Sequence, residues 1–259
     1  MDEPEFLRRI CDTVHGYLEV GNEVFDADGA RFVRNRSCPR RYDANYVSHV
    51  HCTRDDAIDQ LLDRTEREFA GFRHRRFDLD PFTPQAFVAR LVLADYAGSD
   101  TVQLVLDGPV RARVPQVGIQ LVESETRWAA YRELITLEWS ERSDHIEPET
   151  INDFMTNKRC QSSEIRHRLA ERDGTPVAYV SSWPGRNGIG MVEDVFTHPA
   201  HRHRGIASAL IADAVADARA RGAGPVVIGA RVDDTPKHMY AAMGFRPVLL
   251  TTQYLKVLS

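Results

Sequence analysis

The stretch from Val192 to Leu210, VEDVFTHPAHRHRGIASAL, gathers residue types that could do chemistry. It reads as a strand that runs into an arginine-rich loop and then a helix. A helix N-terminus offers N–H groups without intrahelical partners and the positive end of the helix dipole. Gly205 lets a ligand approach the backbone with no Cβ in the way, and Ala207 keeps the first turn flat. Arg202 and Arg204 add formal charge. Together these features suit a pyrophosphate. Strand residues two apart share a face. That rule predicts Glu193 on the face of Val195 and Thr197, with Asp194 pointing the other way. A carboxylate so placed could take up a proton, directly or through water, which makes Glu193 a candidate general base.

A second segment lies downstream, Tyr240-Ala-Ala-Met-Gly244-Phe245, separated from the first by one helix, one strand and one short helix. The two motifs in this order resemble the GNAT superfamily of N-acetyltransferases. Arg202-x-x-Gly205-x-Ala207 is similar to that family's acyl-CoA loop, and Tyr240 to Phe245 to its Tyr-x-x-x-Gly-Phe segment. The resemblance spans about Gln116 to Leu258. It implies an α/β (α+β) fold with a mixed, mostly antiparallel sheet, acetyl-CoA as co-substrate and no metal. It further implies backbone contacts from Val195, Phe196 and Thr197 to the pantetheine arm. The amides of Arg202, His203, Arg204, Gly205, Ile206, Ala207 and Ser208 would hold the pyrophosphate. Tyr240 would protonate or hydrogen-bond the CoA sulfur. Asp233 stands where the family often has Asn and is carried over as a cofactor contact. The implied activity is transfer of acetyl to an amine of a small molecule or peptide in a ternary complex. The alternative is a non-catalytic acyl-CoA-binding regulatory or interaction module, and a longer acyl group is a third option.

Elements must position these residues. In the second half, strands are expected at Gln116–Val122, Ile165–Glu171, Pro176–Ser182, Ile189–Thr197 and Pro225–Val232, with closing strands in Pro247–Val257. Helices are expected at Arg127–Trp139, Pro148–Asn157, Gly205–Arg221 and Pro236–Met243. Asp173-Gly174 and Asp28-Gly29 read as hairpin turns. In the first half, a strand Tyr46–Cys52 leads to Thr53-Arg-Asp-Asp56, shaped like a capping box, and then a helix. Strands at Arg73–Leu79 and Thr101–Leu106 follow, with a helix opening at Thr83-Pro84. This repeated order suggests two domains, 1–112 and 113–259, the first a degenerate GNAT-like or accessory half. Its strand–helix junction has no glycine and carries Asp55 and Asp56, which would repel a pyrophosphate.

Thirty-three basic against 38 acidic residues leave a net charge of −5, which argues against nucleic acid as the main partner. No run approaches ~20 apolar residues, so no membrane span is expected. The four cysteines are scattered without a CxxC, as in a reduced cytoplasmic protein. His198, His201 and His203, and likewise His49, His51 and Cys52, lack established metal-ligand spacing. A monomer or homodimer acting on an amine is the expected assembly and partner.

Overall fold

The computed structural model describes residues 2–112, 115–141 and 147–258. Arg113 and Val114 of the expected linker, and residues 142–146 of the expected acceptor-side loop, lie outside these.

The chain opens with a helix, α1 (Glu3–Glu19), where the sequence reading placed none. Its signals are local. The Asp2 side chain caps it through the Glu5 N–H at 3.0 Å, and Pro4 sits in the first turn. Ile10 and Tyr17 recur at helical spacing and are both buried. The hairpin at Asp28-Gly29 joins β1 (Glu23–Ala27) to β2 (Ala30–Arg34). Strand β3 covers only Tyr46–Ser48, because His49 turns the chain at φ 49°. Helix α2 (Asp55–Glu68) follows, with Arg54 rather than Thr53 at its N-cap and no side-chain cap, so the expected capping box does not form. The remaining first-half elements are β4 (His74–Leu79), α3 (Gln85–Leu93) and β5 (Ala97–Leu106).

The second half runs β6 (Gly118–Leu121), α4 (Glu125–Ser140), α5 (Pro148–Gln161), β7 (Arg166–Arg172) and β8 (Thr175–Trp183). It continues with β9 (Gly190–Thr197), α6 (Ile206–Ala220), β10 (Val226–Arg231), α7 (Pro236–Ala242) and one long strand, β11 (Arg246–Val257).

All these strands form one mixed, mostly antiparallel sheet in the order β1-β2-β3-β4-β11-β5-β10-β9-β8-β7-β6. Only β3–β4 and β9–β10 pair in parallel. The centre of the sheet crosses the two halves. β5 lies between β10 and β11, and β11 in turn pairs with β4 and β5. The last strand of the chain thus completes the first half's sheet, and the last strand of the first half flanks the second's.

Alternate residues divide the core between two faces. Val192, Val226 and Ile228 meet Leu210, Ile211 and Ala214 of α6. On the opposite face Val105, Ile189 and Val227 meet Ile10 of α1, and Met191 and Trp183 meet Tyr17 and Val20. Helices α4 and α5 cover Leu169, Tyr179 and Phe196 on that same face.

Candidate functional site

Strands β9 and β10 pair only at Gly190–Val192 against Val226–Ile228. Beyond that point β9 continues to Thr197 and β10 to Arg231 without pairing. The edge of Glu193–Thr197 that faces β10 is therefore free of ladder partners, as a ligand lying along a strand requires.

A bulge sets what β9 presents. Against β8, Ser181 pairs with Glu193 and Tyr179 with Phe196, so three steps of β9 oppose two of β8. Asp194 takes up the extra residue at φ 56°, in the left-handed region that Asp tolerates better than most residues. The bulge overturns the parity expectation. Val195 returns to the α6 face beside Val192. Glu193 and Asp194 both turn toward the α1 face.

There the Asp194 carboxylate accepts from the Tyr17 hydroxyl at 2.6 Å and from Lys158 Nζ at 2.5 Å. The Lys158 side chain is fully buried, packed over the rings of Tyr17 and Phe154. Burial pushes the Lys158 ammonium below its ordinary value, against the pull of Asp194. Burial alone would raise Asp194, but Lys158 and the Tyr17 hydrogen bond outweigh it and hold the carboxyl well below the usual range. Glu193 goes the other way. Burial, reinforced by the charge on Asp194, pushes it up to about 8. Two neighbouring carboxyls with opposed shifts are a recognisable acid–base arrangement. Glu193 Oε1 lies 3.0 Å from where a Cβ on Gly229 of β10 would stand, so the glycine leaves its space open.

At the far end of β9, α6 begins at Gly205, whose φ of 77° favours glycine. The first backbone bond there runs from the Ala209 N–H to the Gly205 carbonyl at 3.0 Å. The N–H groups of Ile206, Ala207 and Ser208 precede that ladder and point out of the helix end. A Cβ at Gly205 would come 3.0 Å from Pro115 Cδ. Arg204 and Ile206 line a cavity of about 720 Å³ with Pro115–Gly118, Glu171, Arg172 and Asp173. His203 adopts φ 60° in the loop. The Arg202 side chain turns back instead. It donates to the Thr197 carbonyl at 3.0 Å and to Glu141 at 2.5 Å, and its guanidinium lies over Phe196. Its charge is thereby shared with Glu141 rather than held for a ligand. Thr197 keeps a buried hydroxyl without a hydrogen-bond partner among the described residues.

Tyr240, 5% exposed, packs with Met243 and Phe245 in the α6-side core. Burial, then the charges on Glu193 and Asp234, raise its hydroxyl well above the ordinary value. Asp233 sits at the surface, held by both oxygens to Arg231 at 3.1 and 3.0 Å. The structure thus gathers Glu193, Val195, Phe196 and Thr197 along one opened strand, with Gly205, Ile206, Ala207 and Ser208 beyond its end. The side chains of Arg202 and Asp233 face other partners.

Residues 128–245 match the Acetyltransferase (GNAT) family. They form a GNAT acetyltransferase domain. The match stops at Phe245, one residue before β11, the strand that completes the first half's sheet. Solved structures resemble the chain over nearly its whole length. A GCN5-related N-acetyltransferase from Kribbella flavida is 17% identical, covers 96% of this chain and 95% of its own, and superposes with a TM-score of 0.71. A functionally unknown protein from Staphylococcus epidermidis ATCC 12228 is 15% identical over 93% and 96%, with a TM-score of 0.70. A tandem GNAT protein from the clavulanic acid biosynthesis pathway is 15% identical over 88% and 78%, with a TM-score of 0.58. At such identities the likeness is one of fold. No curated protein sequence matches the chain.

Within the GNAT domain, Lys158 and the true orientation of Asp194 escaped the sequence reading. So did Tyr17, on the helix that precedes the first hairpin. Asp2-Glu-Pro-Glu5 ahead of an apolar run was the available signal for that helix. No sequence signal marks the bulge. No group of three or more His, Cys, Asp or Glu able to hold a metal occurs among the described residues, and no described helix is long and apolar enough to cross a membrane.

Proposed function

We propose that the protein is an N-acetyltransferase that moves the acetyl group of acetyl-CoA directly to a primary amine within a ternary complex. The observation that carries the reading is the opening of the sheet at Glu193. A carboxyl poised near neutrality stands on one face of the gap, and the free amides of α6 lie beyond its end.

Two features fit acetyl-CoA as the co-substrate. The α6 N-terminus offers the Ile206, Ala207 and Ser208 amides beside a glycine, a cradle that a Cβ would crowd. The unpaired edge at Val195–Thr197 offers backbone donors and acceptors to an amide-bearing pantetheine arm, and an N–H near Phe196 would face the thioester oxygen. Arg204 supplies positive charge at the cavity edge; Arg202 contributes its backbone.

Glu193 takes a proton from the incoming ammonium and leaves a neutral amine. The amine attacks the thioester carbonyl; a C–N bond forms, the second N–H proton is lost to water, and the C–S bond breaks. A carboxylate pushed up to about 8 is well matched to that first transfer near neutral pH. Tyr240 stays protonated throughout. Full transfer from so weak an acid to a thiolate, whose ordinary pKa is about 8.5, is uphill. Its role is therefore a hydrogen bond to the leaving sulfur.

The test is release of CoA thiol from acetyl-CoA in the presence of an amine library, with mass detection of the products. An N-acetylated product identifies the acceptor. Binding of acetyl-CoA with no product from any amine would instead favour the non-catalytic module.

A further inference from the structure

Three neighbouring strands place Gln103 (β5), Gly229 (β10) and Glu193 (β9) in a row across the sheet. Gln103 and Gly229 are direct register partners, and Glu193 follows the last β9–β10 pair. The middle member has no side chain. The point its Cβ would occupy lies 3.0 Å from Glu193 Oε1 and 3.3 Å from Gln103 Oε1, with Thr101 Cγ2 at 3.2 Å. Two oxygen acceptors therefore converge over a bare Cα. Gln103 is 2% exposed, and its Oε1 has no hydrogen-bond partner among the described residues. Its orientation is set from the far side, where Nε2 donates to Thr251 Oγ1 of β11 at 3.0 Å. A buried amide oxygen held by its own NH₂ and left unpaired is a costly arrangement that calls for an occupant.

We propose that the acceptor's primary amine nitrogen sits over Gly229, donating one N–H to Gln103 Oε1 and another to Glu193. This deepens the acetyl-transfer reading and rests on it. The first half of the chain then supplies part of the acceptor site through its exchanged strand, and β11 holds that residue in place. A nitrogen with two or three N–H donors satisfies both oxygens. A tertiary ammonium has one N–H and satisfies only one. Glu193 removes the proton, and Gln103 fixes the nitrogen's direction of approach; Gln103 is a positioning residue.

The probes are propylammonium and N,N-dimethylpropylammonium, titrated calorimetrically into the full chain with CoA. The wild type should bind the primary ion roughly tenfold more tightly, the worth of one charge-assisted hydrogen bond. Gln103→Leu should erase that preference and leave CoA affinity unchanged. In thiol release from acetyl-CoA it should raise the KM for propylamine far more than it lowers kcat. Glu193 is also faced by Asp194, Lys158, Asp43, Tyr17 and Tyr240, none altered by this substitution, so the acidic limb of the pH–rate profile should not move. Thr251→Val keeps the amide but frees its orientation, and should give a smaller loss of the same kind; it carries the test if the leucine variant does not fold. Equal binding of the two ions by the wild type, no binding of the primary ion, or an unchanged preference in Gln103→Leu overturns the proposal. So does a limb shifted to higher pH, which would mean that the amide donates to Glu193. Selective binding of propylammonium without thiol release would remove the acetyl-transfer reading and leave this amine site standing. Thiol release with the preference unchanged would do the reverse.

Discussion

Two adjacent carboxyls, Glu193 and Asp194, would carry the proposed chemistry at the residue scale, and their difference comes from what touches them. Asp194 is stabilised as an anion by Lys158 and Tyr17; at Glu193 burial and the neighbouring charge outweigh the pull of Lys158. Glu193→Gln should abolish the acidic limb of the pH–rate profile, whose wild-type midpoint is expected near 8. The same substitution has a stability consequence. The folded-state carboxyl binds its proton more tightly than the unfolded one, so its contribution is full below the ordinary value and lost as pH rises through about 8. Thermal unfolding at pH 9 should find Glu193→Gln more stable than the wild type, with the gap closing toward pH 5. Asp194→Asn should move the rate limb below the wild-type midpoint, because the charge that raises Glu193 is gone. It should also cost about 3 kcal/mol in urea unfolding at pH 7, since Lys158 is left buried without its partner. Tyr240→Phe should lower turnover with little change in acetyl-CoA affinity, because only the hydrogen bond to the departing sulfur is lost.

At the scale of elements, the proposed co-substrate site is made by helix α6 and strand β9. The helix is anchored by Leu210, Ile211 and Ala214, all fully buried against the sheet. Gly205 serves two needs at once, a left-handed turn and clearance from Pro115. Gly205→Glu should therefore abolish acetyl-CoA binding in a calorimetric titration and also lower the unfolding temperature slightly, because a side chain here is strained as well as repulsive to phosphate. The junction before α2 differs in each respect. Arg54 caps it, no glycine intervenes, and Asp55 and Asp56 occupy the first turn. One equivalent of acetyl-CoA per chain is the expected stoichiometry.

The whole molecule is held together by an exchange of strands. β11 closes the first half and β5 flanks the second, so neither half owns a complete sheet. Side-chain ties reinforce this. Asn157 of α5 donates to Asn22 at 2.8 Å, and the Arg40 N–H donates to Asp153 at 2.9 Å. Residues 1–112 expressed alone should therefore be unstable, exposing the edges of β4 and β5 that β11 normally covers. Co-expression with 113–259 should restore a cooperative transition, read by circular dichroism; a folded, monomeric first half would contradict the exchange.

Most of the second half was legible in the residues. The hairpin at Asp173-Gly174, the apolar stripe of α6 and the glycine before it are short-range signals, and local rules of period and turn chemistry reach them. The Tyr240–Phe245 segment was likewise readable because its spacing from Gly205 is a matter of chain order. The first hairpin followed from the same local reasoning. What tertiary structure decided is all long-range. The bulge at Asp194 arises from how β9 registers against β8, and it reversed the face assigned to Val195 relative to Glu193. The pairing of Lys158 with Asp194 joins residues 36 apart, and that of Tyr17 with Asp194 spans 177. Gln103 meets Thr251 across 148 residues because β11 inserts beside β5. A strand carries its period and its turns within itself, but its neighbours are chosen by the burial of the whole sheet, and no window of sequence contains that choice.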